Sequence, residues 1–135
     1  MRRPLTILCL PLLALGLAGC GSAVSTSGFQ GEEHEVAQSI ANFQTAATTG
    51  EYKKMCGEML SATVVARLGG AKRCEKAIKS QLAEIDNLQV SVQSVRVASG
   101  STSATAKVGS IYEGKTRVGK LSLLKEGKHW KISGL

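Results

Sequence analysis

The architecture follows from residues 88–132, which read LQVSVQSVRVASGSTSATAKVGSIYEGKTRVGKLSLLKEGKHWKI. Apolar and polar residues alternate along this stretch, and three short turns that contain glycine interrupt the alternation. A period of two is typical of strands that bury one face, and short turns join neighbouring strands in antiparallel order. The stretch therefore predicts a meander of four antiparallel strands.

The first of these strands changes parity in its middle. Its apolar residues are even-numbered up to Val92 and odd-numbered from Val95 onward. A β-bulge near residues 93–94 would return all of these side chains to one face of the sheet. We therefore expect a bulge at that position.

Upstream of the strands, apolar residues recur at helical spacing. Val36, Ile40 and Phe43 follow each other at steps of four and three, which predicts a helix over residues 33–48. Similar patterns predict helical segments over residues 51–60, 61–68 and 71–85, with Ser61 as an N-cap. Helices followed by strands indicate an α+β fold in which the N-terminal helices pack on one face of the four-stranded antiparallel meander.

The N-terminus carries the signature of an exported bacterial lipoprotein. Arg2 and Arg3 precede an apolar run, Leu5–Leu17, and the run ends in Leu-Ala-Gly-Cys at residues 17–20. The run is too short for an ordinary membrane-spanning helix, which needs roughly 20 residues. An ordinary signal peptide cleaved at another small residue is the alternative. The pattern predicts a signal peptide over residues 1–19, cleavage before Cys20, and lipid on the Cys20 thiol.

This processing predicts where the mature protein lies and how it is divided. It would be extracytoplasmic and anchored to the bacterial cell membrane through acyl chains such as palmitate on Cys20. Residues 20–31 would be the lipidated cysteine and a flexible Gly/Ser-rich linker, and residues 32–135 would be one domain. Whether the membrane is an inner or an outer one stays open.

Two of the four cysteines remain for the folded domain. Cys9 would leave with the signal peptide and Cys20 would carry lipid, so Cys56 and Cys74 form an even pair in an oxidising compartment. A disulfide between them would close a loop of about 18 residues and stabilise the fold by roughly 3 kcal/mol. A redox pair would need closer spacing, and a metal site would need histidines from opposite ends of the chain. No metal and no cofactor is therefore predicted.

The charge pattern excludes one class of partner. The formal net charge of +7 falls to about +5 without the two arginines of the signal peptide. The basic residues are scattered, and no aromatic residues interleave with them, so nucleic acid is not an expected partner. A basic domain tethered beside anionic lipid would gain some attraction to that surface. Solvated faces of helices and strands are the simpler interpretation.

No catalytic motif is present, so candidate site residues come only from strand parity. His129 has the parity opposite to Trp130 and is expected to face solvent if Trp130 faces the core. Small or polar residues near the concave face could line a pocket, although close packing and a core role for the tryptophan are the simpler expectation. These possible pocket-lining residues are Tyr112, Trp130, Ser110, Ala104 and Ala106.

The order of these elements resembles the nuclear transport factor 2-like (cystatin-like α+β) superfamily over residues 33–135. The closing Gly127-Lys128-His129-Trp130-Lys131-Ile132 is similar to the end of its small bacterial lipoproteins. The run from Cys56 through Leu60-Ser61 and Leu68-Gly69-Gly70 to Cys74 looks like a cysteine-paired actinobacterial subgroup. The resemblance implies a curved, cone-shaped sheet and a possible homodimer through that sheet.

Three functions are compatible with this resemblance. The first is a non-catalytic envelope module that binds a partner protein or a small apolar ligand. The second is an enzyme of the cyclase or isomerase type, which would need Tyr112 to meet Arg96 or His129 in one pocket. The third is a purely structural envelope protein. Enzymes of the superfamily place ionisable residues in the cone, where this chain places aliphatic residues and tryptophan, so we predict no catalytic residue.

Overall fold

The computed structural model describes residues 24–85, 89–112 and 114–134. Within this part of the chain, helices precede strands, as the sequence predicts, and the α+β class is confirmed. The predicted signal peptide, the predicted lipidation site Cys20 and the predicted linker up to residue 23 lie outside the described residues. The elements in chain order are α1 (Gly31–Thr49), α2 (Tyr52–Lys54), a π-helix (Met55–Met59), α3 (Ala62–Arg67), α4 (Ala71–Ala83), β1 (Gln89–Val97), β2 (Ser103–Tyr112), β3 (Lys115–Glu126) and β4 (His129–Gly134).

Helix α1 is the long helix that covers the sheet. Its predicted apolar stripe is buried, with Val36 and Ile40 at 0% and 2% exposure. The helix ends at Gly50, which has a φ of 74°, a left-handed conformation that glycine adopts without a Cβ penalty. Before the helix, a turn brings Phe29 back so that its backbone N–H donates to the Thr26 carbonyl, and the Phe29 ring packs against the core.

The segment predicted as a second helix is divided between α2 and the π-helix. The Leu60 backbone N–H donates to the carbonyl of Met55, five residues earlier, at 2.9 Å. This bonding buries Met55 and Cys56 together. Cys56 is joined by a disulfide to Cys74 on α4, with their Cα atoms 6.1 Å apart. The predicted disulfide is therefore present, and it links two inward faces.

The sheet has the strand order β1-β2-β3-β4, and every neighbouring pair is antiparallel. The predicted meander is confirmed. The register of β1 against β2 shifts between Val92 and Ser94, so the predicted bulge is confirmed as well. Val95 is buried, and Val90, Val92 and Val97 pack against the core, so the bulge places these side chains on one face.

The core lies between this inner face of the sheet and the helices. Ala104 and Ala106 of β2, Leu121 and Leu123 of β3, and Trp130 of β4 are all buried. They pack with apolar residues of α1, the π-helix and α4. The small side chains of β2 therefore serve close packing rather than an open space. None of the helices in residues 24–85 combines the length and the hydropathy that a membrane-spanning segment requires.

Candidate functional site

A groove of about 630 Å³ opens between α1, the π-helix and β4. Strand β4 is an edge strand of the sheet, and among the described residues no further strand covers the edge along which the groove runs. The lining residues include Ser39, Asn42 and Thr45 from α1, Glu58 and Met59 from the π-helix, and His129, Trp130 and Lys131 from β4.

The backbone of Trp130 points toward the open side of this edge. Glu126 and His129 flank the two-residue turn between β3 and β4 and pair with each other, and Lys125 pairs with Trp130. In such a hairpin the pair next to the turn exchanges hydrogen bonds, so the following residue directs its N–H and C=O outward. Ile132 has the same orientation as Trp130, and its carbonyl accepts from the Ser61 N–H at 2.9 Å. Within the described chain, the two backbone groups of Trp130 have no such partner.

Segment Leu60–Ser61 already shows how this edge accepts a backbone. Leu60 forms a parallel β-bridge with Ile132, next to the Ser61 hydrogen bond. Two residues earlier on β4, at Trp130, the same edge opens into the groove. The groove therefore begins where the pairing of β4 with residues 60–61 stops.

Charged side chains around the groove are mostly engaged with each other. Lys54 lies 3.2 Å from Glu51, and its hydrogen bond, with a second one from Thr49, lowers the pKa of the Glu51 carboxyl. Lys131 lies 3.3 Å from Glu126. Polar side chains and charges of both signs thus line the groove together with the apolar Ala46, Met59 and Trp130.

The indole of Trp130 is held by Glu32 of α1, which also forms an ion pair with Lys125 of β3. Its Nε1–H donates to Glu32 Oε2 at 2.7 Å, and Lys125 Nζ donates to Glu32 Oε1 at 2.5 Å. The lysine also lies 5.6 Å from the centroid of the indole ring. The hydrogen bonds from Lys125 and then from Trp130 lower the pKa of the Glu32 carboxyl. This cluster fastens the first turn of α1 to β3 and β4.

The opposite face of the sheet, which we call the outer face, carries a second groove of about 650 Å³. Its lining contains Arg96 from β1, Lys107 from β2, and Lys120 with Val118 from β3. Lys107 and Lys120 stand directly opposite each other in the register of β2 and β3. The outer face is therefore cationic where three strands meet.

The structure places the predicted pocket residues in different environments. Ala104 and Ala106 lie in the core, and Ser110 is half-buried on β2. Trp130 is only 3% exposed and contributes to the β4-edge groove. Tyr112 ends β2, and its side chain is outside the described residues.

The residue pairs required by the enzyme hypothesis lie far apart. Arg96 pairs with Thr105, seven residues along β2 from Tyr112, which is about 23 Å at the strand rise of about 3.3 Å per residue. His129 pairs with Glu126, whereas Tyr112 pairs with Lys115 at the other end of β3, about 36 Å away by the same rise. His129 is exposed, as its parity predicts.

No protein-family model matches this sequence, and no curated protein is significantly similar to it. Among the described residues, no three acidic, histidine or cysteine side chains are grouped closely enough to hold a metal ion.

Sequence reasoning missed the two clusters that depend on tertiary structure. Glu32 and Trp130 are 98 residues apart, and nothing in local spacing connects them. The cations of the outer face could have been found, because Arg96, Lys107 and Lys120 all have the parity opposite to their buried neighbours. Only the register of the strands, however, shows that they are adjacent.

Proposed function

We propose that this chain is a lipid-anchored protein of the bacterial cell envelope, and that its domain is a non-catalytic module of the nuclear transport factor 2-like type that binds an extended segment of a partner protein. The Leu-Ala-Gly-Cys sequence at residues 17–20 is the single observation that carries the anchor. The disulfide between Cys56 and Cys74 agrees with an oxidising compartment outside the cytosol.

The family proposal is supported by the order of elements. A long helix, a set of short helices and a four-stranded antiparallel meander occur in the sequence order expected for that superfamily. The indole of the closing Trp130 is buried beneath the first turn of α1. Fold alone carries no activity, so the binding proposal depends on the site.

The binding proposal is supported by the open edge of β4. The outward N–H and C=O of Trp130 could pair with an added strand, which is a common way to recognise extended peptides. Side chains at the rim, such as Asn42 and Glu58, could then contact alternate residues of that strand. The helix-to-sheet interior is filled by Met55, Leu123 and other buried side chains, which favours the edge over the cone as the binding place.

The anchor is tested by matched cysteine substitutions in cells grown with labelled palmitate. Cys20→Ala should abolish labelling and release the protein from the membrane fraction, because the acceptor thiol is lost. Cys9→Ala, within the same predicted signal peptide, should leave the labelling and the membrane association unchanged. Labelled, membrane-bound Cys20→Ala protein would refute the anchor.

The binding edge is tested with a photo-crosslinking amino acid placed at position 129 or, as a control, at the exposed Lys79 of α4. We expect an adduct with a discrete envelope protein from position 129 and none from position 79. An Asn42→Arg substitution should reduce the adduct several-fold by filling the groove. Equal adducts at both positions, or an adduct that Asn42→Arg leaves unchanged, would refute the proposed edge.

A further inference from the structure

The outer face of the sheet combines two features that the proposed binding edge does not use. The first is the cationic cluster of Arg96, Lys107 and Lys120. The second is apolar, because Ile111 and Val118 are the large hydrophobic residues exposed in the described chain, at 44% and 55%. Both kinds of side chain lie on the same side of β1, β2 and β3.

Strand register places the apolar pair on this face. Val90 packs against the core and pairs with Ser110, so the neighbouring Ile111 projects from the opposite face. Val108 also packs against the core and pairs with Gly119, so Val118 projects outward with Ile111. The two side chains are diagonal neighbours on adjacent strands and form a small exposed apolar patch.

The cations adjoin this patch and are not neutralised. Lys107 and Lys120 are directly opposed across two strands, where like charges are destabilising. Arg96 lies on the next strand, and its partner Thr105 is two residues from Lys107. Among the described residues, none of the three forms an ion pair with a carboxylate. Repulsion of this kind is relieved when an anionic surface approaches.

We infer that the outer face docks on the anionic headgroups of the membrane to which the chain is anchored. This inference rests on the proposed lipid anchor. A basic side chain close to anionic lipid favours association, and three such side chains together favour it by about a hundredfold at low ionic strength. Ile111 and Val118 would enter the headgroup region beside them. The docked sheet would leave the β4-edge groove and the helices exposed to the envelope.

The length of the tether permits this orientation. Residue Thr26 is held near α1, because its carbonyl lies 3.2 Å from His34 Nδ1. Six peptide units join Cys20 to Thr26, and they span at most about 20 Å when extended. That reach is about twice the distance of about 10 Å between the mid-planes of packed layers, which is compatible with a lipid and an outer face at one surface.

A second copy of the chain is the competing occupant of this face. A homodimer through the sheet would place the two cationic clusters against each other, since both copies present the same residues. Like charges at an interface are unfavourable. The charge of the outer face therefore favours an anionic membrane over another copy.

The experiment uses protein extracted from membranes and reconstituted into vesicles of phosphatidylcholine alone or with an equal share of phosphatidylglycerol. A membrane-impermeant amine reagent modifies exposed lysines, and mass spectrometry measures labelling at Lys107 and Lys120 relative to Lys79 on α4. On anionic vesicles at low salt we expect labelling of the two sheet lysines to fall at least threefold. About 0.5 M salt should restore it, because the Debye length then falls below about 5 Å.

Two variants separate docking from other effects. On anionic vesicles, peptides that contain Val118 should exchange their amide hydrogens more slowly at low salt than at high salt. Lys107→Gln combined with Lys120→Gln should abolish this difference. Lys76→Gln combined with Lys79→Gln, which removes the same charge from α4, should leave that difference intact. Circular dichroism of each variant confirms that it is folded.

The outcomes distinguish the docking from the anchor. Protein that associates with both vesicle types but shows equal labelling would overturn the docking while the anchor stands. Protein that associates with neither type would overturn the anchor and the docking together. Labelling of Lys107 and Lys120 that falls as the protein concentration rises, in detergent as well as in both vesicle types, would overturn the docking and show that a second copy covers this face.

Discussion

At the scale of single residues, Glu32 shows how a charge in the first turn of a helix can position a buried aromatic ring. The carboxylate accepts from the indole of Trp130 and from Lys125. A buried indole N–H without an acceptor would lose a hydrogen bond to water and gain nothing in return. Glu32 therefore satisfies Trp130 while it ties α1 to the sheet.

This arrangement predicts an acid-dependent stability. The pKa of Glu32 is lowered from 4.5 in the folded state by Lys125 and Trp130, so its carboxylate contributes stability above pH 4.5. That contribution is lost as the pH falls through the lowered pKa of the folded state. We expect the melting temperature of the wild type to fall more between pH 7 and pH 3 than that of Glu32→Gln.

The matched control for that prediction is Glu33→Gln, which alters an exposed neighbour in the same helical turn. Its thermal unfolding should follow the acid dependence of the wild type. Parallel curves for the wild type and Glu32→Gln would contradict the assigned role of Glu32.

The disulfide is the second residue-scale feature that can be measured. Replacing Cys56 and Cys74 together by alanine removes a constraint on the unfolded chain over a separation of 18 residues. The free energy of unfolding should fall by about 3 kcal/mol in urea titrations. A change below about 1 kcal/mol, with the pair shown to be oxidised in the wild type, would mean that the bridge stabilises little.

At the scale of elements, α3 is held by contacts at its N-terminus. The Ser61 hydroxyl accepts from the Val64 N–H at 3.3 Å, and Glu126 Oε1 accepts from the Ala62 N–H at 2.9 Å. This second contact joins α3 to the end of β3, 64 residues later. The Ala62 hydrogen bond, more than Lys131, lowers the pKa of Glu126.

Removing the Glu126 carboxylate should loosen α3 in particular. Glu126→Ala should destabilise the protein by about 1 kcal/mol and raise hydrogen exchange in α3 several-fold, because the Ala62 N–H loses its acceptor. Glu126→Gln keeps an oxygen acceptor and should lose less. Equal effects of the two substitutions would assign the loss to the ion pair with Lys131 instead.

The elements also show where sequence patterns stop being informative. The parity change between Val92 and Val95 predicted the bulge, because only a bulge keeps both side chains in the core. The π-helix was not predicted, since Met55, Cys56 and Met59 fit an α-helical stripe equally well. The shift to bonding over five residues depends on how Leu60 and Ser61 meet β4, which is a tertiary contact.

At the scale of the whole molecule, the core and two surfaces are distinguished. The inner face of the sheet and the helices form the core, the open edge of β4 is the proposed binding place, and the outer face is the proposed membrane contact. The sequence predicted the core but not the two surfaces, because each surface unites residues from several strands. The sequence also left open whether Ala104 and Ala106 line a space or the core. The packing of helices over β2 decides this, and that packing is a tertiary feature.

The proposed lipid anchor is tested most directly by the intact mass of protein extracted from membranes without reduction. We expect the mass of residues 20–135 with a diacylglyceryl group, with or without a further acyl chain, and two hydrogens fewer than the reduced form. The unmodified mass of residues 1–135, with free thiols at Cys56 and Cys74, would contradict it.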